Sequence, residues 1–169
     1  MKKREKLMED IWKTYHPKLQ VYLKQLFPNT REIEDRVSEI LLKVFDQIDR
    51  YDSKFALSTW IYRIARNSQI DEIRKITFKS VELLEDTIST DETPEDIFFK
   101  DLDQEEVKNI ISKLTPEERE LIYLYFYEEL NYREINEITE VPIGTLKYRM
   151  SCSKQKIKSM MLRSGSYEK

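Results

Sequence analysis

The stretch NYREINEITEVPIGTLKYRMSCSKQKI, residues 131–157, decides the fold of the C-terminal part of the chain. Asn131, followed three residues later by Glu134, is a helix-start pattern in which each side chain bonds the other residue's backbone N–H. A short helical segment then leads through a tight connection into a longer basic helix that starts near Pro142. Short helices joined by a tight turn to a longer basic helix predict a helix-turn-helix.

The last helix of this motif carries the strongest signal for nucleic-acid binding. From Lys147 to Arg163 it has six basic residues and no acidic one. Basic side chains gain affinity for a duplex by neutralising phosphates and releasing counterions. The side chains at its start can reach base edges in the major groove. The alternative is a solvated basic terminal helix. The other side of this last helix is apolar, and we expect it to pack on the two preceding helices. Its residues are Leu146, Met150, Ile157 and Met161.

Two further helices precede the motif, over residues 107–114 and from Thr115 to about Glu129. Thr115, Pro116 and Glu118 form a second capping box, with proline at the first helical position. The helix that follows is apolar on several sides, so we expect it at the centre of its domain.

Three amphipathic helices are predicted in the N-terminal half, over residues 8–27, 33–48 and from Ser58 or Thr59, as N-cap, to Ile76. The third begins with STWIYRIARN, residues 58–67. At 100° per residue its apolar side chains share one side, and we expect them in the core. A second arc holds polar groups that suit either solvent or single-stranded DNA: Arg63, Arg66, Asn67 and Arg74.

Composition supports an all-α fold of two small helical domains joined by an acidic linker, the C-terminal domain being the helix-turn-helix. The 169 residues include only two glycines, fewer than a β-rich fold normally uses. Net charge is −3 overall, but residues 1–76 carry +4, residues 77–106 carry −9, residues 107–141 carry −4 and residues 142–169 carry +6. We therefore place domains at 1–76 and 107–169, with 77–106 as the linker.

Several classes of function are disfavoured by the sequence. Cys152 and His16 are single and far apart along the chain, so neither a nucleophilic pair nor a metal cluster is expected. Two separated glycines cannot build a phosphate-binding loop. No catalysis, cofactor or metal is predicted. The longest apolar run, LIYLYFY at 121–127, is too short to span a membrane, so we expect a cytoplasmic protein without membrane insertion.

With both halves in view, the sequence resembles the extracytoplasmic-function group of bacterial RNA polymerase sigma factors. Residues 33–75 resemble the region that binds core polymerase and opens promoter DNA, and TWIYRIARN is its most specific part. Residues 114–157 resemble the region whose helix-turn-helix reads the upstream (−35) promoter element, with VPIGTLKYR as its marker. The resemblance implies a factor that directs core polymerase to a restricted set of promoters.

The resemblance also implies roles for individual positions. Contacts with the upstream duplex would come from the recognition helix: Thr145, Lys147, Tyr148, Arg149, Ser151 and Lys154. Contacts with the downstream (−10) element and the melting strand would come from Lys54, Phe55, Trp60, Arg63, Arg66, Asn67 and Arg74. Core polymerase would be bound by Asp35, Ser38, Glu39, Leu42 and Phe45. The implied partners are core RNA polymerase, double- and single-stranded promoter DNA, and an anti-sigma factor.

Some positions depart from the family's pattern. Ser38 stands where glutamine is common, and Asn136, Thr139 and Glu140 replace residues usual around the turn of the helix-turn-helix. Glu140 stands where a glycine is usual, and a left-handed conformation there would cost roughly 1–2 kcal/mol. Promoter preference therefore does not transfer from the family.

Two other functions remain as alternatives. A stand-alone dimeric helix-turn-helix regulator would explain residues 107–163 but leave TWIYRIARN without a role. A helical adaptor or anti-sigma-like protein would use the acidic middle to bind a basic partner. It predicts no salt-dependent DNA binding by residues 142–169.

Overall fold

The computed structural model describes residues 2–26, 32–76 and 104–164, with side chains except those of 71–76, 104 and 164. These residues form seven α-helices and no strand, which confirms the all-α prediction. The helices are α1 (Lys2–Leu26), α2 (Ile33–Gln47), α3 (Leu57–Ile76), α4 (Gln104–Ser112), α5 (Pro116–Ile122), α6 (Tyr132–Thr139) and α7 (Ile143–Ser164). The predicted linker lies outside the described residues except for its last three, which begin α4.

The N-terminal half is a bundle of α1, α2 and α3. Helix α2 packs against both α1 and α3, and a 3₁₀ turn (Ile48–Arg50) follows α2. Its buried side consists of Ile33, Val37, Ile40, Leu41 and Val44. Helix α1 starts six residues earlier than predicted, because its first residues are largely exposed and carry no apolar stripe that a pattern could detect.

The start of α3 corrects the predicted N-cap. The Trp60 backbone N–H donates to the Ala56 carbonyl at 3.2 Å, so the helix begins at Leu57. Ser58 and Thr59 therefore lie in the first turn of the helix. The Thr59 hydroxyl is buried, with no hydrogen-bond partner in the described part of the chain.

The C-terminal half is built around α5. The predicted capping box is present: Thr115 accepts from the Glu118 N–H at 3.3 Å, and Glu118 accepts from the Thr115 N–H at 2.9 Å. The helix predicted to reach Glu129 instead ends at Ile122 and continues as a π-helical segment, Tyr123–Tyr127. One wider turn changes which side chains face inward, and periodicity at 3.6 residues per turn cannot reveal it.

The two halves pack against each other, with α1 against α5 and α3 against α6. The buried apolar residues form one cluster that extends from Ile11 in α1 to Met161 in α7. This contact brings the third helix of the first half beside the helix-turn-helix of the second.

Candidate nucleic-acid and polymerase interfaces

The turn of the helix-turn-helix is held by the residues that depart from the family's pattern. Glu140 is left-handed, with φ 59° and ψ 11°, and its N–H donates to the Asn136 carbonyl at 2.8 Å. The Asn136 amide donates to the Val141 carbonyl at 2.8 Å. The Thr139 hydroxyl donates to the Ile135 carbonyl at 2.8 Å and accepts from the Val141 N–H at 3.2 Å. Asn136 and Thr139 thus supply local bonds that fix the turn, while Glu140 bears the expected backbone strain.

Helix α7 separates a buried side from an outer surface. The buried side chains are Leu146, Met150, Ser153, Ile157 and Met161. At 100° per residue, Tyr148 lies opposite that side, and Thr145 and Ser151 lie on either side of Tyr148. Lys147, Arg149 and Lys154 lie nearer the margins of the core. All six predicted contact residues are half-buried, so none is lost to the core.

Gln155 belongs to the same outer surface, although it is not among the six residues predicted to contact the upstream duplex. It is exposed and stands four residues after Ser151, on the same side of the helix. That i,i+4 spacing is the signal that could have found it. An amide can bond adenine in the major groove in two places, so Gln155 adds a group able to read a base.

Two contacts fix the orientation of α7. The Lys156 ammonium pairs with the Glu118 carboxylate of α5, which ties the helix to the capping box. Burial raises the pKa of Glu118, but the bonds from Lys156 and Thr115 outweigh it, so the pKa lies below its ordinary value of 4.5. The Lys147 ammonium lies 5.9 Å from the centre of the Tyr132 ring of α6, a cation–π contact.

The loop before α3 presents Lys54 and Phe55 outward. The Tyr51 hydroxyl donates to the Phe55 carbonyl at 2.5 Å, and the Lys54 N–H donates to an Asp52 carboxylate oxygen at 3.0 Å. These bonds close the loop without a glycine. Phe55 remains 41% exposed, so its ring is open to solvent.

The predicted melting residues of α3 do not share one environment. Trp60 is only 8% exposed and packs on Tyr51 with ring centroids 5.2 Å apart. Its indole is therefore part of the core and supports the loop, and the contact with DNA that the resemblance implies for Trp60 stays a prediction. Arg63 is half-buried and Asn67 is exposed. The backbone of Arg74 lies in α3, but its side chain is outside the described set.

Arg66 is engaged by the other half of the chain. Its Nε donates to Glu120 Oε1 of α5 at 2.9 Å, and the Tyr22 hydroxyl of α1 donates to the same oxygen at 2.6 Å. The Glu120 side chain is 5% exposed, and that of Arg66 is 18% exposed. Burial, followed by the Glu120 carboxylate, raises the pKa of Tyr22 well above 10.0. We call these three residues the interdomain hub.

A second polar chain lies beside the interdomain hub. The Tyr123 hydroxyl is 3.0 Å from Glu128 Oε1 and 3.1 Å from the Lys18 carbonyl, both acceptors for its proton. The Tyr62 hydroxyl lies 3.4 Å from the Tyr123 oxygen, and the Lys18 ammonium pairs with Glu128 at 3.2 Å. Burial is the main reason that the pKa values of Tyr62 and Tyr123 are raised. The contacts of Tyr123 with Lys18 and Tyr62 join distant positions and had no sequence signal beyond the abundance of tyrosine.

Helix α2 presents the predicted polymerase contacts on one side, opposite its buried side. They are Asp35, Ser38, Glu39, Leu42 and Phe45. Asp35 and Glu39 are exposed, Leu42 is 58% exposed and Phe45 is half-buried. The Ser38 hydroxyl donates to the Glu34 carbonyl at 3.0 Å, so its proton is already used within the helix.

The described residues contain no group of side chains arranged to hold a metal ion. No helix among them is long and apolar enough to cross a membrane.

Comparison with known proteins accounts for both halves. The model for "Sigma-70 region 2" matches residues 11–78, and the model for "Sigma-70, region 4" matches residues 104–157. The chain belongs to the sigma-70 family, in its extracytoplasmic-function group. The two regions occur in the order that the sequence analysis expected and together span more than half of the chain.

Curated relatives match along nearly the whole length. The extracytoplasmic-function sigma factor SigW of Bacillus subtilis is 28% identical over 163 residues, covering 90% of this chain and 87% of SigW. SigM of Bacillus subtilis is 25% identical, covering 95% of this chain and 99% of SigM. RpoE of Cereibacter sphaeroides is 26% identical, covering 93% of this chain and 87% of RpoE.

Solved structures share the fold. The sigma factor RpoE in complex with the anti-sigma factor NepR from Bartonella quintana matches with a TM-score of 0.68 and 20% identity, covering 95% of this chain and 98% of that one. CnrH in complex with the cytosolic domain of CnrY matches with a TM-score of 0.63 and 15% identity, covering 93% and 88%.

Proposed function

We propose that this chain is an RNA polymerase sigma factor that binds core polymerase and directs transcription initiation at a restricted set of promoters. One observation carries the proposal: a region 2 module and a region 4 module occur on one chain in family order, and each presents an exposed polar surface. The chain supplies binding and positioning, while the chemistry of RNA synthesis belongs to the polymerase. Such a factor works where polymerase and chromosome meet, in the cytoplasm.

The outer surface of α7 is the proposed reader of the upstream element. Lys147 and Arg149 provide phosphate or base contacts, while Tyr148, Ser151 and Gln155 reach base edges. The glutamate at the turn adds one negative charge close to the duplex. We therefore expect binding to be weaker than that of a chain with glycine there, and less steeply dependent on salt, because salt screens the repulsion between this carboxylate and the phosphates.

The loop with Lys54 and Phe55, together with Arg63 and Asn67 of α3, is the proposed site for the melting element. A 41% exposed phenylalanine on a closed loop offers a face on which an unpaired base can stack. Arg66 can join this site once its guanidinium leaves Glu120. The exposed side of α2 is the proposed site for core polymerase, and an anti-sigma factor is the proposed regulatory partner.

Run-off transcription on fragmented host DNA tests the proposal. Purified core polymerase is assayed alone, with the full chain, and with the variant Tyr148→Ala/Ser151→Ala, and the transcript 5′ ends are mapped. We expect new discrete start sites that share two spaced upstream elements, and their loss with the double variant. Lys113→Ala removes an exposed charge between α4 and α5 and serves as the control. Start sites unchanged by the wild-type chain would refute the proposal.

The stand-alone regulator and adaptor alternatives are weaker because neither accounts for the region 2 match over residues 11–78. Footprinting of the same DNA by the full chain without polymerase, over a range of salt concentrations, separates them. A regulator would protect two half-sites without polymerase, and an adaptor would leave DNA unbound at all salt concentrations.

A further inference from the structure

Gly144 lies in the first turn of α7, where nothing in the described structure requires a glycine. Its backbone is helical and does not adopt the left-handed conformation that favours this residue. A β-carbon added here would meet no atom within 4 Å in the described part of the chain, apart from its own stretch of helix and its chain neighbours. Alanine would therefore fit at this position without moving any other residue.

A helical glycine that could be alanine makes the fold less stable. The unfolded chain has more conformational freedom at a glycine, and helices are weaker with glycine than with alanine. Glycine is also the residue that allows a ligand to approach the backbone closely, because it has no β-carbon. The open space at Gly144 does not serve the packing of α7, but it would serve a molecule that lies against the start of this helix.

The position of Gly144 on α7 indicates which molecule this is. Tyr148, Ser151 and Gln155 follow it by four, seven and eleven residues, so the glycine belongs to the same outer surface as these side chains. Gly144 is itself exposed, and the neighbouring Ile143 is 38% exposed, so the start of the helix is accessible. The outer surface thus begins with bare backbone, and a tyrosine ring follows one turn later.

We propose that duplex DNA contacts the backbone of α7 directly at Gly144, and that the missing β-carbon keeps this approach open. The inference rests on the proposed sigma-factor function and adds a positioning residue to it. Gly144 has no side chain with which to read a base. It sets how deeply the start of the helix enters the major groove, and therefore how far Tyr148 and Ser151 reach toward the base edges.

The stability and the DNA affinity of the same variants test this role, because the two should change in opposite directions. In thermal unfolding of the full chain, followed by circular dichroism, we expect Gly144→Ala to raise the midpoint by about 1–4 °C. Fluorescence anisotropy then measures binding to a labelled duplex that carries the upstream element of a start site mapped by run-off transcription. We expect Gly144→Ala to weaken this binding by about fivefold or more, and the larger side chain of Gly144→Leu to weaken it further.

A duplex of random sequence and a control variant complete the experiment. A helix held further from the groove loses contacts with bases more than contacts with phosphates, so the preference of Gly144→Ala for the upstream-element duplex over the random duplex should fall. Ser159→Ala also places alanine at an exposed position of α7, fifteen residues further along the helix. It should leave the affinity for both duplexes within about twofold, because it lies roughly 22 Å from Gly144.

The possible failures are distinguishable. Unchanged affinity in both Gly144→Ala and Gly144→Leu would overturn the inference, while leaving a factor that binds DNA through the side chains of α7. A lower unfolding midpoint together with lower affinity would also overturn it, because the glycine would then serve the fold. The same is true if the wild-type chain does not prefer the upstream-element duplex over the random one. Absence of new start sites in run-off transcription would instead refute the proposed function itself.

Discussion

Replacing Glu120 with alanine removes the shared acceptor of the interdomain hub. Its carboxylate oxygen receives both the Tyr22 hydroxyl at 2.6 Å and the Arg66 Nε at 2.9 Å. The Tyr22 side chain is fully buried, so its hydroxyl would have no water to replace the lost acceptor. We therefore expect the variant to fold with weaker packing between the halves.

The magnitude follows from the exposure of the two donors. A buried hydroxyl left without a partner costs roughly 1–3 kcal/mol. A fully buried charge left unpaired would cost about 3–5 kcal/mol, but Arg66 is 18% exposed and can turn toward water, so we take about 1 kcal/mol. The expected loss is about 3 kcal/mol, which is large against a typical unfolding free energy of roughly 5–15 kcal/mol.

Urea unfolding of the full chain, followed by circular dichroism, measures this loss. Glu117→Ala is the matched control, because Glu117 is on the same helix and exposed. Tyr22→Phe combined with Glu120→Ala completes a double-mutant cycle, in which the two effects must not add. A change below about 0.5 kcal/mol for Glu120→Ala, or full additivity in the cycle, would refute the reasoning.

Three further predictions concern other parts of the molecule. Glu140→Gly relieves roughly 1–2 kcal/mol of strain from the left-handed backbone at this position. It also costs roughly 0.4–1 kcal/mol, because glycine gives the unfolded chain more conformational freedom. The midpoint temperature of thermal unfolding should therefore rise, and a fall would contradict the strain assignment. Asn136→Ala removes the hydrogen bond to the Val141 carbonyl that closes the turn. It should lower the unfolding free energy, measured by urea unfolding, by about 1 kcal/mol, and it should weaken binding to an upstream-element duplex, measured by fluorescence anisotropy. Full affinity and stability would show that this bond is dispensable. Because burial raises the pKa values of Tyr22, Tyr62 and Tyr123, the folded state holds their protons longer than the unfolded state does. The contribution of these three tyrosines to stability should therefore be constant below pH 10.0 and should fall as pH rises above it. Tyrosinate absorbance and circular dichroism should then change together, and tyrosinate formation by all ten tyrosines near pH 10.0 in a still-helical protein would count against the buried cluster.

Local signals in the sequence predicted local structure well. The two capping boxes, at Thr115 and Asn131, are present with both reciprocal bonds, and the left-handed conformation at Glu140 occurs where a glycine is usual. Each depends on residues within a few positions of one another. The amphipathic stripes of α2 and α7 likewise place their buried sides as expected.

Contacts between distant positions could not be predicted in this way. Arg66 and Glu120 are 54 residues apart, and Tyr22 and Glu120 are 98 apart, so their meeting depends on how two preformed units pack. The helical wheel placed Arg66 on an arc that could face DNA. A wheel shows on which side of a helix a residue lies, but not which other helix packs against that side. The π-helical segment was missed because its side chains read as an ordinary apolar helix.

The arrangement around α6 has a consequence for how such a protein can diverge. Helix α6 packs on α3 on one side and on α7 on another, so substitutions there disturb two contacts at once. The outer surface of α7 carries no such double constraint. Under the proposed function, exchanges at positions such as Tyr148 or Gln155 would therefore change promoter preference without disturbing the packing of α6 on its two neighbours.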